Sequence, residues 1–187
     1  MRGSWIMAAG CIAGVVVVAC SDRKPTITEV AGAGGHDHPG MNAAVSGNVA
    51  VPGGFTVQAL ARGDFLDEVD VKFKIKLNDA TTVAHVQEPS DALVAKITFQ
   101  PGGSVGWHTH HGPVIVTVAS GALSIINASD CVRRVYAGGK AFVDPGQGNV
   151  HVGFNETAGE TVIYATFLDV PPGQPATIPA DAPGCSL

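Results

Sequence analysis

The sequence is poor in charged residues, and no apolar run in it is long enough to cross a membrane. Charged side chains make up 14% of the 187 residues, and acidic residues outnumber basic ones to give a net charge of −5. Nucleic acid is therefore not an expected partner, because lysine and arginine are too few to neutralise many phosphates. The main apolar run is residues 6–19, whereas a transmembrane helix needs about 20 residues.

Helical periodicity and paired cysteine motifs are also missing. No long stretch repeats apolar residues at helical spacing, which argues against a mainly helical fold. No Cys-x-x-Cys motif occurs, which argues against a cysteine-based redox or zinc motif.

The chain has instead a series of short β-rich runs separated by Gly, Pro, Asn or Asp. Residues 71–77 form the clearest run, because apolar residues alternate strictly with lysines, as in a strand with one face in water. Eight or more such strands predict an all-β fold, a double-sheet jelly roll. The predicted strands are 55–60, 71–77, 93–99, 114–118, 123–126, 132–136, 140–143, 150–154 and 161–168.

The N-terminus has the features of an export signal. Arg2 supplies a positive charge ahead of the apolar run, which is followed by Cys20. The stretch Val-Val-Ala-Cys ending at Cys20 resembles the bacterial lipobox, whose cysteine is lipidated and becomes the first residue of the mature chain. The resemblance implies a lipoprotein signal peptide over residues 1–19 and an exported protein held at the cell membrane by a lipid on Cys20. The alternative is a plain secretory signal with an incidental cysteine.

Residues 20–52 are predicted to be a flexible linker, because they are rich in Ala, Gly, Ser, Thr and Pro without periodicity. The linker contains His36 and His38, which are either a solvated polar stretch or a weak cation trap. Residues 53–187 are predicted to form the β-barrel domain, with the Pro-rich tail from residue 170 lying along it as an extended arm.

The four cysteines leave one pair inside the predicted domain. If the lipobox resemblance holds, Cys11 is lost with the signal peptide and Cys20 is acylated, which leaves Cys131 and Cys185 in an oxidising compartment. We expect these two to form a disulfide bond. The alternative is a pair of thiols with a metal or redox role.

Three histidines form the candidate metal site. His108 and His110 have one residue between them, so on an extended strand they share a face and lie roughly 6.6 Å apart along it. His151 follows a Gly/Pro-punctuated hairpin. Three neutral imidazoles suit iron, manganese, copper, zinc or nickel and leave open positions for water, oxygen or substrate.

These residues lie in a pattern that resembles the two motifs of the cupin superfamily, G-x5-H-x-H-x3,4-E-x6-G and G-x5-P-x-G-x2-H-x3-N. The first motif matches from Gly102 to His110 and again at its closing Gly121, but its glutamate position holds Val114. The second motif matches at four residues, with one extra residue before its histidine. Those four residues are Gly139, Pro145, His151 and Asn155.

The cupin resemblance implies one double-stranded β-helix (jelly-roll) barrel that binds a divalent transition metal through His108, His110 and His151. A set of three histidines without the glutamate is similar to that of the thiol dioxygenases in the same superfamily. Asn155 is expected to fix local backbone. His111 is either a proton-transfer group at the barrel rim, and so the candidate catalytic acid or base, or a spare histidine.

Two functions follow from the resemblance. The first is a metal-dependent enzyme of oxygenase type, or an isomerase or hydrolase, that acts on an unknown small molecule. The second is a non-catalytic protein that binds or senses a small ligand or a metal, since some cupins have lost the metal. Cupins often pair through their sheets, which favours a homodimer.

Overall fold

The computed structural model describes residues 49–51, 53–77 and 80–187, and every regular element in these ranges is a β-strand. The predicted signal peptide, Cys20, His36, His38 and most of the predicted linker lie outside the described residues. Within the described ranges, no helix is long and apolar enough to cross a membrane.

The strands are numbered in chain order. Their bounds are β1 Val49–Val51, β2 Phe55–Asp64, β3 Asp70–Leu77, β4 Ala80–Gln87, β5 Asp91–Phe99, β6 Ser104–Thr109, β7 Val114–Ser120, β8 Ala122–Asn127, β9 Arg133–Ala137, β10 Ala141–Asp144, β11 His151–Phe154, β12 Thr161–Phe167 and β13 Ile178–Pro179.

Two antiparallel sheets make up the body of the fold. One has the strand order β1-β2-β5-β12-β7-β10, and the other has the order β13-β6-β11-β8-β9. Strands that are neighbours in space are mostly not neighbours in sequence, so the chain crosses repeatedly between the sheets. This is the double-sheet jelly roll, and the predicted fold class is confirmed.

The core lies between the two sheets and follows from the period-2 pattern of the strands. In β7, Val114, Val116 and Val118 are buried, whereas the residues between them are exposed. Strand β12 alternates in the same way, with Ile163 and Ala165 facing inward. These residues and their counterparts on β5 and β8 form one cluster, so the inner faces of both sheets enclose a common apolar interior.

Each predicted strand overlaps an observed one, but the prediction missed β4. Residues 80–87, where the sequence predicts no strand, pair with β3 in a separate two-stranded sheet. The run Ala-Thr-Thr-Val-Ala-His lacks a clear apolar alternation, and its cross-strand partners on β3 supply the missing order. The short β1 lies at the end of the stretch predicted as linker and pairs with β2.

The C-terminal arm is attached to the barrel at two points. Strand β13 adds to the edge of β6, with Pro179 opposite His108. Beyond it, Cys185 forms a disulfide bond with Cys131, which lies in the turn between β8 and β9. The Cα atoms of the two cysteines are 5.3 Å apart. The arm is therefore held against the strand that carries the first candidate ligand.

Candidate metal centre

The structure brings the three predicted ligands together at one end of the barrel. His108 on β6 is paired directly with His151 on β11, and their ring centroids are 4.2 Å apart. The ring of His110 lies 4.9 Å from that of His108 and 5.3 Å from that of His151. One ligand atom from each residue lies within 4.8 Å of the other two. Residues 43 positions apart in sequence thus share a single ion-sized space because β6 and β11 are adjacent.

The position of His110 differs from the simple strand prediction. Strand β6 ends at Thr109, so His110 lies one residue beyond the strand and not on its regular alternation. Its carbonyl oxygen accepts a hydrogen bond from the backbone N–H of Gln147. The turn at Gly112 and Pro113 follows at once, and Pro113 cannot donate to a strand ladder. The His110 ring still faces the other two histidines, and the Ala176 carbonyl oxygen holds its Nδ1 atom.

Protein acceptors fix the orientation and the tautomer of all three rings. The Nδ1 atom of His108 lies 2.8 Å from the carbonyl oxygen of Gly106, and that of His110 lies 2.7 Å from the carbonyl oxygen of Ala176. The Nδ1 atom of His151 faces the carbonyl oxygen of Asn149 and a carboxylate oxygen. Since a carbonyl oxygen can only accept, and each Nδ1 faces one, each Nδ1 must carry the proton, and each Nε2 keeps its lone pair.

Burial keeps the three imidazoles neutral. Each residue is at most 6% exposed. The pKa values of His108, His110 and His151 are each lowered to about 4, mainly by desolvation and, for His108 and His110, also by the neighbouring imidazoles. The neutral ring is the form that binds a metal ion, so the site is in its metal-binding protonation state at neutral pH.

The lowered pKa values predict an acid-sensitive metal-free protein. A histidine in the unfolded chain has a pKa of about 6.5, so between about pH 6.5 and pH 4 the unfolded chain binds more protons than the folded one. The free energy of unfolding should therefore fall as the pH falls through this window. A single histidine that stays neutral in the folded protein contributes a slope of about 1.4 kcal/mol per pH unit. Urea unfolding of chelator-treated protein between pH 7 and pH 5 would measure this slope.

The matched control for the pH series is the His151→Asn variant, which lacks one of the three titrating rings. Asp144 beside His151 acts in the opposite direction, because burial raises the pKa of its carboxyl group. The measured slope is therefore a net value. A slope in the wild type that is no steeper than in His151→Asn would contradict the prediction.

Sequence reasoning missed a carboxylate behind His151. An oxygen of the buried Asp144 lies 3.2 Å from the Nδ1 atom of His151, and the Asn149 amide donates to the same oxygen at 2.9 Å. The other Asp144 oxygen accepts the backbone N–H of Gly146 at 2.7 Å. Metal-bound histidines are commonly oriented by a carboxylate in this way. The signal in the sequence was only the acidic residue of the Pro-Gly turn.

Asp144 lies opposite the residue that occupies the glutamate position of the cupin pattern. In the register of β7 and β10, Asp144 is directly opposite Val114. Val114 occupies the glutamate position of the cupin pattern and contributes an apolar group to the interior. A carboxylate is therefore present one strand away, where it contacts the His151 ring and not the space between the three histidines.

The turn after Asp144 depends on a glycine. Gly146 has a φ of +58°, and a Cβ at this position would collide with the backbone carbonyl of Gly112. Only glycine allows this close approach of the two loops. The approach places the N–H of Gly146 on Asp144 and the following loop beside His110.

Replacing Asp144 by asparagine should weaken metal binding by roughly 10- to 100-fold. The amide retains the shape but offers one acceptor oxygen for the three donors that now contact the carboxylate. Competition with a chelating dye would measure the affinity. Asp169→Asn is the matched control, because Asp169 accepts hydrogen bonds from Ser90 and contacts none of the three histidines. Equal affinities for both variants would show that Asp144 does not support His151.

His111 and Asn155 lie outside the group of three histidines. His111 is half-buried and does not line the interior cavity, and its buried Nε2 atom has no hydrogen-bond partner among the described residues. Its predicted role as acid or base stays a prediction. The Asn155 amide donates to the carbonyl oxygens of Phe99, Gln100 and Gly159. Asn155 thus joins two loops of backbone, as predicted.

The three histidines open onto a cavity of about 270 Å³ inside the barrel. Its wall comes from the inner faces of both sheets, including Ala95, Val116 and Ile125. The C-terminal arm closes one side through Pro175, Ala176 and Thr177. The arm therefore has two contacts with the site, since Ala176 also accepts the hydrogen bond from His110.

The donor set fits a transition-metal ion. Three neutral Nε2 lone pairs converge from three rings that are held in place by other atoms, and the cavity beside them leaves room for further ligands. Imidazole nitrogens suit zinc, copper, iron, nickel and manganese, whereas magnesium and calcium prefer oxygen ligands. The fold and the site thus define a jelly-roll protein with three histidines that could hold a metal ion.

Comparisons with known proteins give likenesses to solved structures only. No protein-family model and no curated protein matches the chain. KdgF from a Halomonas species is 16% identical, with a TM-score of 0.45, and the match covers 67% of this chain and 88% of that one. The polyketide cyclase RemF from Streptomyces resistomycificus is 13% identical, with a TM-score of 0.47 and coverages of 73% and 80%.

An RmlC-like cupin from Shewanella frigidimarina is similar to the same extent. It is 16% identical, with a TM-score of 0.44, and the match covers 73% of this chain and 93% of that one. All three TM-scores lie below 0.5, so the fold assignment depends on the strand order and the register described above.

Proposed function

We propose that this chain is a cupin that binds one divalent transition-metal ion through His108, His110 and His151 and holds a small molecule beside it. One observation carries the proposal: three buried neutral imidazoles have their Nδ1 atoms on protein acceptors and their remaining nitrogens directed to one cavity. The metal would be iron, manganese, copper, zinc or nickel.

The catalytic form of the proposal is an oxygenase-type enzyme. A bound metal supplies Lewis acidity and, for iron, copper or manganese, redox chemistry. No Asp, Glu, Lys or Tyr side chain from the described part of the chain lines the cavity, so this part of the wall offers no acid or base besides the histidines. This lining favours chemistry that depends on the metal over side-chain acid–base catalysis, with His111 as the remaining proton-transfer candidate. The same lining also suits the non-catalytic alternative, a protein that binds or senses a small ligand.

Metal content tests the proposal directly. The full chain would carry His36→Ala and His38→Ala so that the N-terminal histidines contribute no metal. After exposure to iron, zinc, copper, nickel and manganese and gel filtration, mass spectrometry should find about one metal ion per chain. A protein that stays empty after all five metals would overturn the proposed function. Oxygen uptake by the loaded protein in the presence of candidate substrates then separates the enzyme from the binding protein.

We further propose that the protein is exported and anchored to the cell membrane as a lipoprotein, and that it forms a homodimer. The lipobox-like stretch before Cys20 supports the anchor. In a bacterial host, labelled palmitate should be incorporated into the full chain and not into a Cys20→Ser variant. If neither protein is labelled, the proposed anchor is contradicted.

The proposed homodimer needs a separate measurement. Light scattering of the Cys20→Ser variant, which would need no detergent, would measure the oligomeric state.

A further inference from the structure

The cavity beside the three histidines has an almost entirely apolar wall. Among the residues that the structure describes, Thr177 is the only one in the wall with a polar side chain apart from His108, His110 and His151. Asp144 and Asn149 lie behind His151 and are not part of the wall. The remaining wall is formed by aliphatic and phenyl side chains from both sheets. These include Phe55, Leu93, Ile97, Phe99, Leu123 and Phe167.

Such a wall discriminates against charged and polyhydroxylated ligands. A charged group that enters the cavity loses its water and finds no arginine, lysine or carboxylate with which to pair among the described lining residues. Each sugar hydroxyl would likewise be left without a partner, at a cost of about 1–3 kcal/mol. Phosphorylated compounds, sugars and dicarboxylates therefore do not match this cavity, whereas an apolar body does.

The volume limits the size of the ligand. An apolar cavity of about 150 Å³ is large enough to bind benzene. The cavity here has about 270 Å³, which corresponds to one ring with a short substituent, or roughly ten non-hydrogen atoms. The cavity volume is thus at or below the lower end of the range of pocket volumes that hold drug-sized ligands.

From these observations we infer that the site takes a small apolar molecule, about the size of a substituted benzene, whose single polar head group faces the three histidines. The head group would be an oxygen donor to the metal, and this part rests on the proposed function. The choice of an apolar body rests on the wall alone.

The first test uses the full chain loaded with Zn²⁺, which has no redox chemistry, and three hydroxamates with the same head group. Calorimetry would compare acetohydroxamate, benzohydroxamate and 4-carboxybenzohydroxamate. Benzohydroxamate should bind at least tenfold more tightly than the other two, because it alone combines the head group with an uncharged ring. Equal affinity for the ring with and without the carboxylate would overturn the inference.

The second test does not involve a metal, so it separates failure of this inference from failure of the proposed function. Chelator-treated full chain should bind toluene and not benzoate, as measured by NMR titration of the protein methyl signals. If toluene binds and no metal does, the proposed function fails and the apolar cavity stands. If a metal binds and toluene does not, the inference fails.

A matched pair of variants locates the binding. Ala95 lines the cavity and is completely buried, whereas Ala92, on the same strand, does not line it. Ala95→Leu should weaken toluene and benzohydroxamate binding at least tenfold, and Ala92→Leu should leave both affinities unchanged. If Ala95→Leu does not fold, Val116→Ala replaces it: the enlarged cavity should bind indane at least tenfold more tightly than the wild type. Unchanged affinities would place the probes outside the cavity.

Discussion

Replacing His151 by alanine is expected to lower the affinity for the metal ion more than a hundredfold. A four-ligand zinc site contributes roughly 10–16 kcal/mol, so one ligand accounts for about 3 kcal/mol. Of the three proposed ligands, His151 is the one that contacts the Asp144 and Asn149 pair, and its ring lies close to both other rings. Among the described wall residues, the other nitrogen donors are His108 and His110 themselves, so no spare side chain can replace the His151 nitrogen. Metal content after gel filtration should fall from about one ion per chain to near zero.

Two other histidines provide matched controls for this experiment. His85 is paired with Asp70 on the outlying two-stranded sheet, and His111 lies outside the cavity wall. His85→Ala and His111→Ala should retain the metal with unchanged affinity. If His151→Ala retains it as well, the three-histidine site is wrong. Loss of metal from His111→Ala alone would instead place the ion nearer to the turn after β6.

Removing the disulfide bond is expected to lower the free energy of unfolding by up to about 4 kcal/mol. Cys131 and Cys185 are separated by 54 positions in sequence, and the loop-entropy model gives about this value for a loop of that length. The bond also holds the arm whose residues 175–177 close the cavity and whose Ala176 carbonyl orients His110. The Cys131→Ser and Cys185→Ser double variant should therefore unfold at lower urea concentration and lose its metal faster to a chelator.

The role of the arm can be separated from that of the bond itself. Dithiothreitol should reproduce the loss of stability in the wild type and have no effect on the double serine variant. Limited proteolysis should then cut the arm of the reduced protein before it cuts the barrel, because β13 contributes only two paired residues. Unchanged unfolding and unchanged metal release in the double variant would show that β13 and the His110 contact hold the arm without the bond.

The predicted acid sensitivity and the predicted metal affinity have the same physical origin. Three imidazoles are buried so deeply that protonation is unfavourable, and without a metal their lone pairs gain nothing from this burial. The fold therefore carries a cost at the site that a bound ion would offset. This is the pattern expected when a site is built to hold a ligand and not to stabilise the chain.

Much of this protein followed from the sequence alone because the relevant signals are local. Strand alternation and turn residues depend on neighbouring positions, so the all-β class and most strands were predictable. The spacing of His108 and His110, with His151 after the hairpin, likewise indicated a metal site. The missed strand β4 has a weak pattern of its own and is ordered by its partner, so no local signal revealed it.

The tertiary structure decided how the site is completed, because the remaining groups reach the histidines from strands and segments that are distant in sequence. Asp144 supports His151 from across a turn, opposite the position where Val114 replaces the expected glutamate. The Ala176 carbonyl reaches His110 from the C-terminal arm, 66 positions away. The apolar cavity also exists only where two sheets face each other. The sequence determined which residues could bind a metal, and the packing of the sheets determined how those residues are oriented and which molecules fit beside them.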